Sequence, residues 1–285
     1  MTRLILLFLL FPAFVYSTDW KTKTSPNFNL YYEGKWTPDS IMIELEKIFA
    51  KMRLNVSMFA PWMTKNKTNI YIYSSQENYL KGEFAPPTWS KGLAFYDKKA
   101  VVVYDMGDIE KLKSTLAHEL THLYFESYFS EKMKTPPQWL NEGLAVFMED
   151  LTYESEGPWK RALKFTMPEK FLKFSVFFDT KIENLDSSEK ISNWYLQAYG
   201  IVSYLYRPNK RLAFKNLCDL IREDYKIEKN LWEAYRFRTA SDLELEWKKW
   251  LIQDKETQKK ALIDNAGFGF KPFKQIEFST GLGKK

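Results

Sequence analysis

The only two histidines of the chain, His118 and His122, stand four positions apart. They lie in a stretch, from about residue 109 to residue 128, whose composition favours a helix. Residues four apart on a helix project from the same face, so both imidazoles can reach one metal ion. Glu119 stands beside them, and its carboxylate can accept a proton from a water on that ion. The pattern predicts a metal site on a helix, and the alternative is an exposed helix with two incidental histidines.

A third ligand has to come from elsewhere in the chain. Catalytic zinc usually takes three protein ligands and keeps a fourth position for water. Because no third histidine exists, the remaining ligand must be a carboxylate if the site holds zinc. Glu142 is the preferred candidate, since Pro136-Pro137 lies between it and His122 and lets the chain turn back. The sequence therefore predicts that two separate helices supply the ligands.

Two other carboxylates are weaker candidates for the third ligand. Glu149 lies about two turns beyond Glu142, and Glu126 lies one turn beyond the second histidine. Glu126 ranks lower because one rigid helix would then supply every ligand. The small residues Gly143 and Ala145 are expected to let the helix of Glu142 approach the histidine helix closely.

The first residues resemble a secretory signal peptide. A single early charge at Arg3 precedes an apolar run from Leu4 to Val15, and the small residue Ser17 marks a cleavage point. We expect residues 1–17 to be removed and the mature chain, beginning at Thr18, to be periplasmic or extracellular. The alternative is an uncleaved anchor helix. No later stretch has the roughly twenty consecutive apolar residues of a membrane span, so none is expected after cleavage.

Composition restricts the remaining classes of partner. The net charge of +6 is interspersed along the chain, which indicates a solvated mixed surface and no nucleic-acid partner. Cys218 is the only cysteine, so no internal disulfide can form, and it is expected to be buried in a helix. Residues 263–285 are more basic and are predicted to form a tail, mobile or in contact with an anionic surface.

The pattern along the chain predicts an α+β fold. A small N-terminal sheet is expected to pack against the histidine helix, and the rest of the chain is expected to be helical. Predicted strands are 27–33, 69–73, 92–96 and 100–104, the last two as a hairpin. Predicted helices beside 109–128 are one opened by Thr37 and Pro38, then 75–80, 139–150, 191–206, 212–225 and 242–258. The short runs between about 151 and 188 fix no structure, and residues 160–188 are either a cover for the cleft or an ordinary excursion.

The motifs resemble those of the gluzincin metallopeptidases, most closely the peptidase MA-like family. The likeness rests on His118-Glu119-x-x-His122, on Glu142 in an Asn-Glu-Gly-x-Ala setting and on Tyr195 in a downstream helix, and in layout it covers roughly residues 28–251. It implies a zincin-like, two-lobed domain over residues 18–262, with the N-terminal lobe ending near 129. It also implies one Zn²⁺ held by the two histidines and Glu142, with Glu119 as general base.

The resemblance also implies a role for a tyrosine, and it has two gaps. Similar enzymes use a tyrosine to stabilise the transition state; Tyr195 matches that position best and Tyr199 is the alternative, unless both only pack in the core. Some gluzincins carry an Asp four residues after the ligand Glu to orient a histidine, but Val146 stands there. No motif that captures a free substrate amine is present, so aminopeptidase activity is not supported.

These observations predict an exported zinc metallopeptidase, an endopeptidase acting on a peptide or protein substrate. The oligomeric state is left open. One alternative is a catalytically inactive zinc-binding or peptide-binding protein on the same fold, although a free Glu119 has no use in a site kept only for structure. The other alternative is a structural module without metal.

Overall fold

The computed structural model describes residues 20–34 and 38–264. The predicted signal peptide, the expected cap Thr37 and residues 265–285 of the predicted tail lie outside these ranges. The fold is mixed α+β, as predicted, with helices predominating over one small sheet. The division into two lobes near residue 129 stays a prediction. Within the described ranges, no helix has both the length and the apolar character that a membrane crossing requires.

The sheet has five strands in the order β1-β2-β3-β5-β4. The strands are β1 (Lys21–Thr24), β2 (Phe28–Tyr32), β3 (Thr68–Tyr73), β4 (Gly92–Phe95) and β5 (Ala100–Tyr104). The three central strands run parallel, whereas the two outer strands, β1 and β4, are each antiparallel to their neighbour. The predicted hairpin is β4–β5, in which Leu93 pairs with Val102. The sheet therefore ends on the β4 side in an antiparallel edge strand.

Ten helices accompany the sheet in the described part of the chain. They are α1 (Pro38–Val56), α2 (Gln76–Lys81), α3 (Ile109–Ser130), α4 (Gln138–Asp150), α5 (Pro158–Phe165), α6 (Phe174–Phe177), α7 (Ser188–Leu205), α8 (Arg211–Glu223), α9 (Ile227–Tyr235) and α10 (Ala240–Asp264). Short 3₁₀ turns occur at Pro61–Thr64, Pro168–Lys170, Ile182–Asn184 and Pro208–Lys210.

The two faces of the sheet are covered differently. Because side chains alternate along a strand, Val101 and Val103 of β5 join the main hydrophobic core, to which α1 and α3 contribute. Val102 points to the opposite face and packs with Tyr79 of α2 in a smaller aromatic cluster. The main core continues through α4, α7, α8 and α10, and the single cysteine, Cys218 of α8, is buried in it as expected.

Helix α4 packs against both α3 and α7. The close approach at Gly143 is to α7 and not, as the sequence suggested, to α3. A Cβ at this position would lie 2.7 Å from the carbonyl oxygen of Ala198 and 2.7 Å from Cγ2 of Val202. With 3.6 residues per turn, neighbours on a helix project about 100° apart. When Glu142 faces α3, Gly143 therefore points in a different direction, which here is towards α7.

Candidate metal centre

Helix α3 places both imidazoles on one side of a buried helix. Asp108 caps it, its carboxylate accepting hydrogen bonds from the backbone N–H groups of Glu110 (2.9 Å) and Lys111 (3.3 Å). The ring centroids of His118 and His122 are 4.7 Å apart. The spacing of four has therefore brought the two rings together, one turn above the other.

Helix α4 brings Glu142 to the two rings. Its Oε2 lies 3.6 Å from Nε2 of His118 and 3.8 Å from Nε2 of His122. One ligand atom from each of the three residues falls within 4.8 Å of the other two, and this is the group of side chains in the described residues that could hold a metal ion. The two helices thus converge on one point, with Pro136-Pro137 between them.

The three donors suit zinc in chemistry and in spacing. Two imidazole nitrogens and a carboxylate oxygen are ordinary zinc ligands, with bonds of about 2.0–2.2 Å. Tetrahedral ligands at such bond lengths lie roughly 3.3–3.5 Å from one another, within a few tenths of an ångström of the separations between Glu142 and the two rings. Between 12% and 20% of each of these side chains is exposed, so solvent reaches the three residues.

The two alternative carboxylates contact other groups. Nδ1 of His118 lies 3.3 Å from Oε2 of Glu149, on the opposite side of the ring from Glu142, and Oε1 of Glu149 accepts a hydrogen bond of 2.6 Å from Oγ of Ser114. Oε1 of Glu126 accepts a hydrogen bond of 2.8 Å from the side-chain amide of Asn141. Neither carboxylate belongs to the group of donors around the two Nε2 atoms.

His118 and Glu142 each shift the pKa of the other. Burial opposes a charge on the imidazole, but hydrogen bonds to Glu142 and Glu149 outweigh it and raise the pKa of His118 well above 6.5. Burial likewise opposes the charge of Glu142, yet the imidazole of His122 and the hydrogen bonds from His118 and Tyr195 lower the pKa of Glu142. The lowered pKa favours the ionised carboxylate of Glu142, which is the form that binds a cation.

Glu119 lies between α3 and the edge strand β4. A Cβ on Gly92 would lie 2.7 Å from Cγ of Glu119, so a glycine here leaves the space that the carboxylate side chain occupies. Burial raises the pKa of Glu119 above its usual value, while the two imidazoles act in the opposite direction. A carboxylate with a raised pKa, one residue from an imidazole that could bind a metal ion, is suited to exchange protons with a water in the site.

The two candidate tyrosines have different partners. The hydroxyl of Tyr195 donates a hydrogen bond to Glu142, and its ring packs beside those of Trp194 (5.5 Å) and Trp159 (6.3 Å). The hydroxyl of Tyr199 donates to Oδ2 of the buried Asp150 at 3.0 Å. The structure brings Tyr195 to the three donors and directs Tyr199 elsewhere.

Sequence reasoning missed two contributors to this site. Ser114 stands four residues before His118, a spacing that would have placed it on the histidine face of α3. Gly92 opens a strand in the sequence, and nothing in its local pattern pointed to Glu119. At this site two buried atoms, Nδ1 of His122 and Oδ1 of Asn141, also lack a hydrogen-bond partner among the described residues.

A sequence profile of the Peptidase MA superfamily matches residues 55–253. The chain belongs to this superfamily, as its motifs implied, and the membership is consistent with a gluzincin-like peptidase. It indicates a metallopeptidase, in a family whose metal is usually zinc. Among curated proteins, none matches the chain.

Proposed function

We propose that this protein is a zinc-dependent endopeptidase of the gluzincin type. The proposal is supported by one observation above all: the donor atoms of His118, His122 and Glu142 converge from two helices, with Glu119 beside them. Membership of the Peptidase MA superfamily supports the reaction class, hydrolysis of a peptide bond. Water and substrate would enter at the fourth ligand position that catalytic zinc sites keep open.

Each of the nearby side chains has a distinct task in this proposal. When bound, zinc would polarise a water molecule and the substrate carbonyl and would lower the pKa of that water towards neutrality. Glu119 accepts the proton of the attacking water and passes it to the leaving amine, which its raised pKa favours. The hydroxyl of Tyr195 donates a hydrogen bond to the carbonyl oxygen as negative charge develops there.

In this proposal the substrate binds along the edge strand β4. One side of β4 pairs with β5, and within the described sheet no strand lies on its other side. An extended peptide can add to such an edge through backbone hydrogen bonds. Gly92 of this strand lies against Glu119, so the added peptide would pass the proposed base. An endopeptidase has to accommodate substrate on both sides of the bond that it cleaves, and an extended peptide along β4 would do so.

A substitution of Glu119 tests the proposed function. Glu119→Gln should bind zinc as well as the wild type does while kcat falls by about 10²–10⁴, because the amide accepts no proton. The control is Glu131→Gln at the exposed end of the same helix, which should change neither quantity. Metal content and hydrolysis of an unfolded, fluorescently labelled protein are measured together; turnover retained in the Glu119→Gln variant would overturn the proposed base.

Removal of the metal separates the alternatives. A chelator should abolish hydrolysis, and added zinc should restore it. Wild-type protein that contains zinc but cleaves no peptide in this assay would instead indicate the catalytically inactive, peptide-binding alternative. Wild-type protein that takes up no zinc would indicate a structural module.

We also propose that the enzyme is exported. The support is the charged start, apolar run and small-residue exit of residues 1–17. Expression of the full chain with a C-terminal tag, followed by fractionation and N-terminal sequencing, should find a mature protein that begins at Thr18 outside the cytoplasm. An intact N-terminus on membrane-bound protein would indicate an anchor instead.

A further inference from the structure

Nδ1, the second ring nitrogen of His118, has a carboxylate partner that the family motifs did not predict. Oε2 of Glu149 lies 3.3 Å from Nδ1 of the ring, and the carboxylate itself is held from its other oxygen by Oγ of Ser114 at 2.6 Å. His118, Glu149 and Ser114 therefore form a continuous hydrogen-bonded chain that ends at the imidazole.

Helix geometry explains how two carboxylates of α4 reach both sides of one ring. Positions seven apart on a helix return to nearly the same face after about two turns, so Glu142 and Glu149 both face α3. Glu142 meets the ring at Nε2 and Glu149 meets it at Nδ1. Val146, between them, is buried among apolar residues. The carboxylate that orients the histidine therefore stands one turn further along α4 than the family resemblance implied.

The charge of Glu149 has few partners other than this imidazole. Its side chain is 17% exposed, and among the described residues no Lys or Arg forms an ion pair with it. A carboxylate withdrawn from water without a cation costs free energy unless hydrogen bonds and a positive partner compensate it. Ser114 supplies one hydrogen bond, and His118, whether protonated or bound to a cation, supplies the positive charge.

We propose that Glu149, held in place by Ser114, is the positioning residue of the metal site. By accepting the proton on Nδ1 of His118, it fixes the tautomer whose lone pair is on Nε2, and it fixes the plane of the ring towards Glu142. Such partners of metal-binding histidines typically change metal affinity by about 10- to 100-fold. The inference rests on the proposed zinc site, but it assigns Glu149 no part in the hydrolysis itself.

Zinc affinity, not activity, tests the assignment. The metal-free protein and its variants compete with a chromogenic chelator for zinc. Glu149→Ala should bind zinc about 10- to 100-fold more weakly than the wild type. Ser114→Ala, which keeps every charge, should weaken binding less, by several-fold, because the carboxylate is then free to turn away. Glu149→Gln retains an acceptor oxygen and should lie between wild type and Glu149→Ala.

The control removes a similar charge from the same neighbourhood. Glu110→Gln lies in the first turn of α3, one turn before Ser114, and Glu110 pairs with Lys113; its zinc affinity should match the wild type. If the Glu149→Ala variant does not fold, the Ser114→Ala and Glu149→Gln variants decide. Wild-type zinc affinity in both would overturn the positioning role and leave the zinc site standing. A wild-type protein that binds no zinc would overturn the proposed function first.

Discussion

Two tyrosines one helical turn apart in α7 contact different carboxylates, so their substitution should have different effects. Tyr195 contacts Glu142, whereas Tyr199 contacts Asp150. We expect Tyr195→Phe to lower kcat by about 100-fold, since it removes one donor to the developing oxyanion. The expected effect of Tyr199→Phe is on folding, because it leaves a buried carboxylate short of a donor and destabilises the protein by about 1–3 kcal/mol.

Steady-state kinetics and urea unfolding of both variants give a direct comparison. The two effects should be separable, because only Tyr195→Phe should lower kcat strongly, whereas Tyr199→Phe should lose stability at near-normal kcat. A large loss of kcat in the Tyr199→Phe variant alone would reverse the assignment.

The imidazole of His118 makes zinc binding dependent on pH. Its pKa is raised well above 6.5, against the effect of burial, by hydrogen bonds to Glu142 and Glu149. Zinc binds only the neutral ring, so apparent zinc affinity should increase with pH until the pH exceeds this raised pKa. The metal-free protein should behave in the opposite way. The stability due to the imidazolium is fully present below about 6.5 and is lost as pH rises through the raised pKa.

Zinc competition and urea unfolding of the metal-free protein, both repeated between about pH 5 and about pH 9, measure the two trends. Zinc affinity that stays constant over this range would contradict the prediction.

At the scale of single residues, the sequence predicted what helix spacing and counting could decide. Two histidines at a spacing of four predicted a shared face, and their number predicted a carboxylate as the third partner. The register between α3 and α4 was not readable, because it depends on packing across the core. For that reason Glu149 was only an alternative ligand in the sequence, and its contact with the opposite nitrogen of His118 emerged from the structure.

Among the elements, α4 has to pack on two sides at once, with one face against α3 and another against α7. Gly143 lies at the second contact, where a Cβ would meet backbone and a β-branched side chain. Gly143→Ala should therefore destabilise the fold by about 1–3 kcal/mol, although alanine favours a helix by up to about 1 kcal/mol over glycine. Gly200→Ala is the matched control on α7, because its nearest neighbours are side chains of Trp247 and Leu163.

Chemical denaturation of both alanine variants measures these effects. Gly143→Ala should be the less stable of the two, because backbone yields less readily than side chains. A Gly143→Ala variant as stable as the wild type would mean that α4 and α7 adjust without cost.

The elements that were missed lack the local signals that identified the others. Strand β1 has the sequence Lys-Thr-Lys-Thr and is mostly exposed, so no apolar alternation marked it. Helix α9 is short and ends at Arg236 in a left-handed conformation without a glycine. The region after α4 folds through long-range contacts, such as the packing of Phe174 and Phe177 into the core. Local periodicity predicted the elements of strong pattern, such as α3, α7 and the hairpin, whereas tertiary packing decided the elements that were missed.

For the whole molecule, a bound ion would add a link between two helices that are already joined by apolar packing and by the hydrogen bonds of Glu149 and Glu126. A ligand that binds only the folded state stabilises it by about 2.7 kcal/mol when its free concentration is 100 times Kd. For a chain of this size the corresponding rise in Tm is roughly 5–10 °C. Calorimetry with and without zinc should show this shift in the wild type and little of it in Glu142→Ala, whose ligand set is incomplete. An equal shift in both proteins would place the ion elsewhere.

Helices α3 and α4 follow one another directly along the chain, and this order has a consequence during synthesis. Every proposed ligand, together with Ser114 and Glu149, has been translated once α4 is complete, whereas Tyr195 is translated later. The residues that would hold the ion are therefore synthesised before the tyrosine that would stabilise the oxyanion, and the site is complete only when α7 has packed on α4.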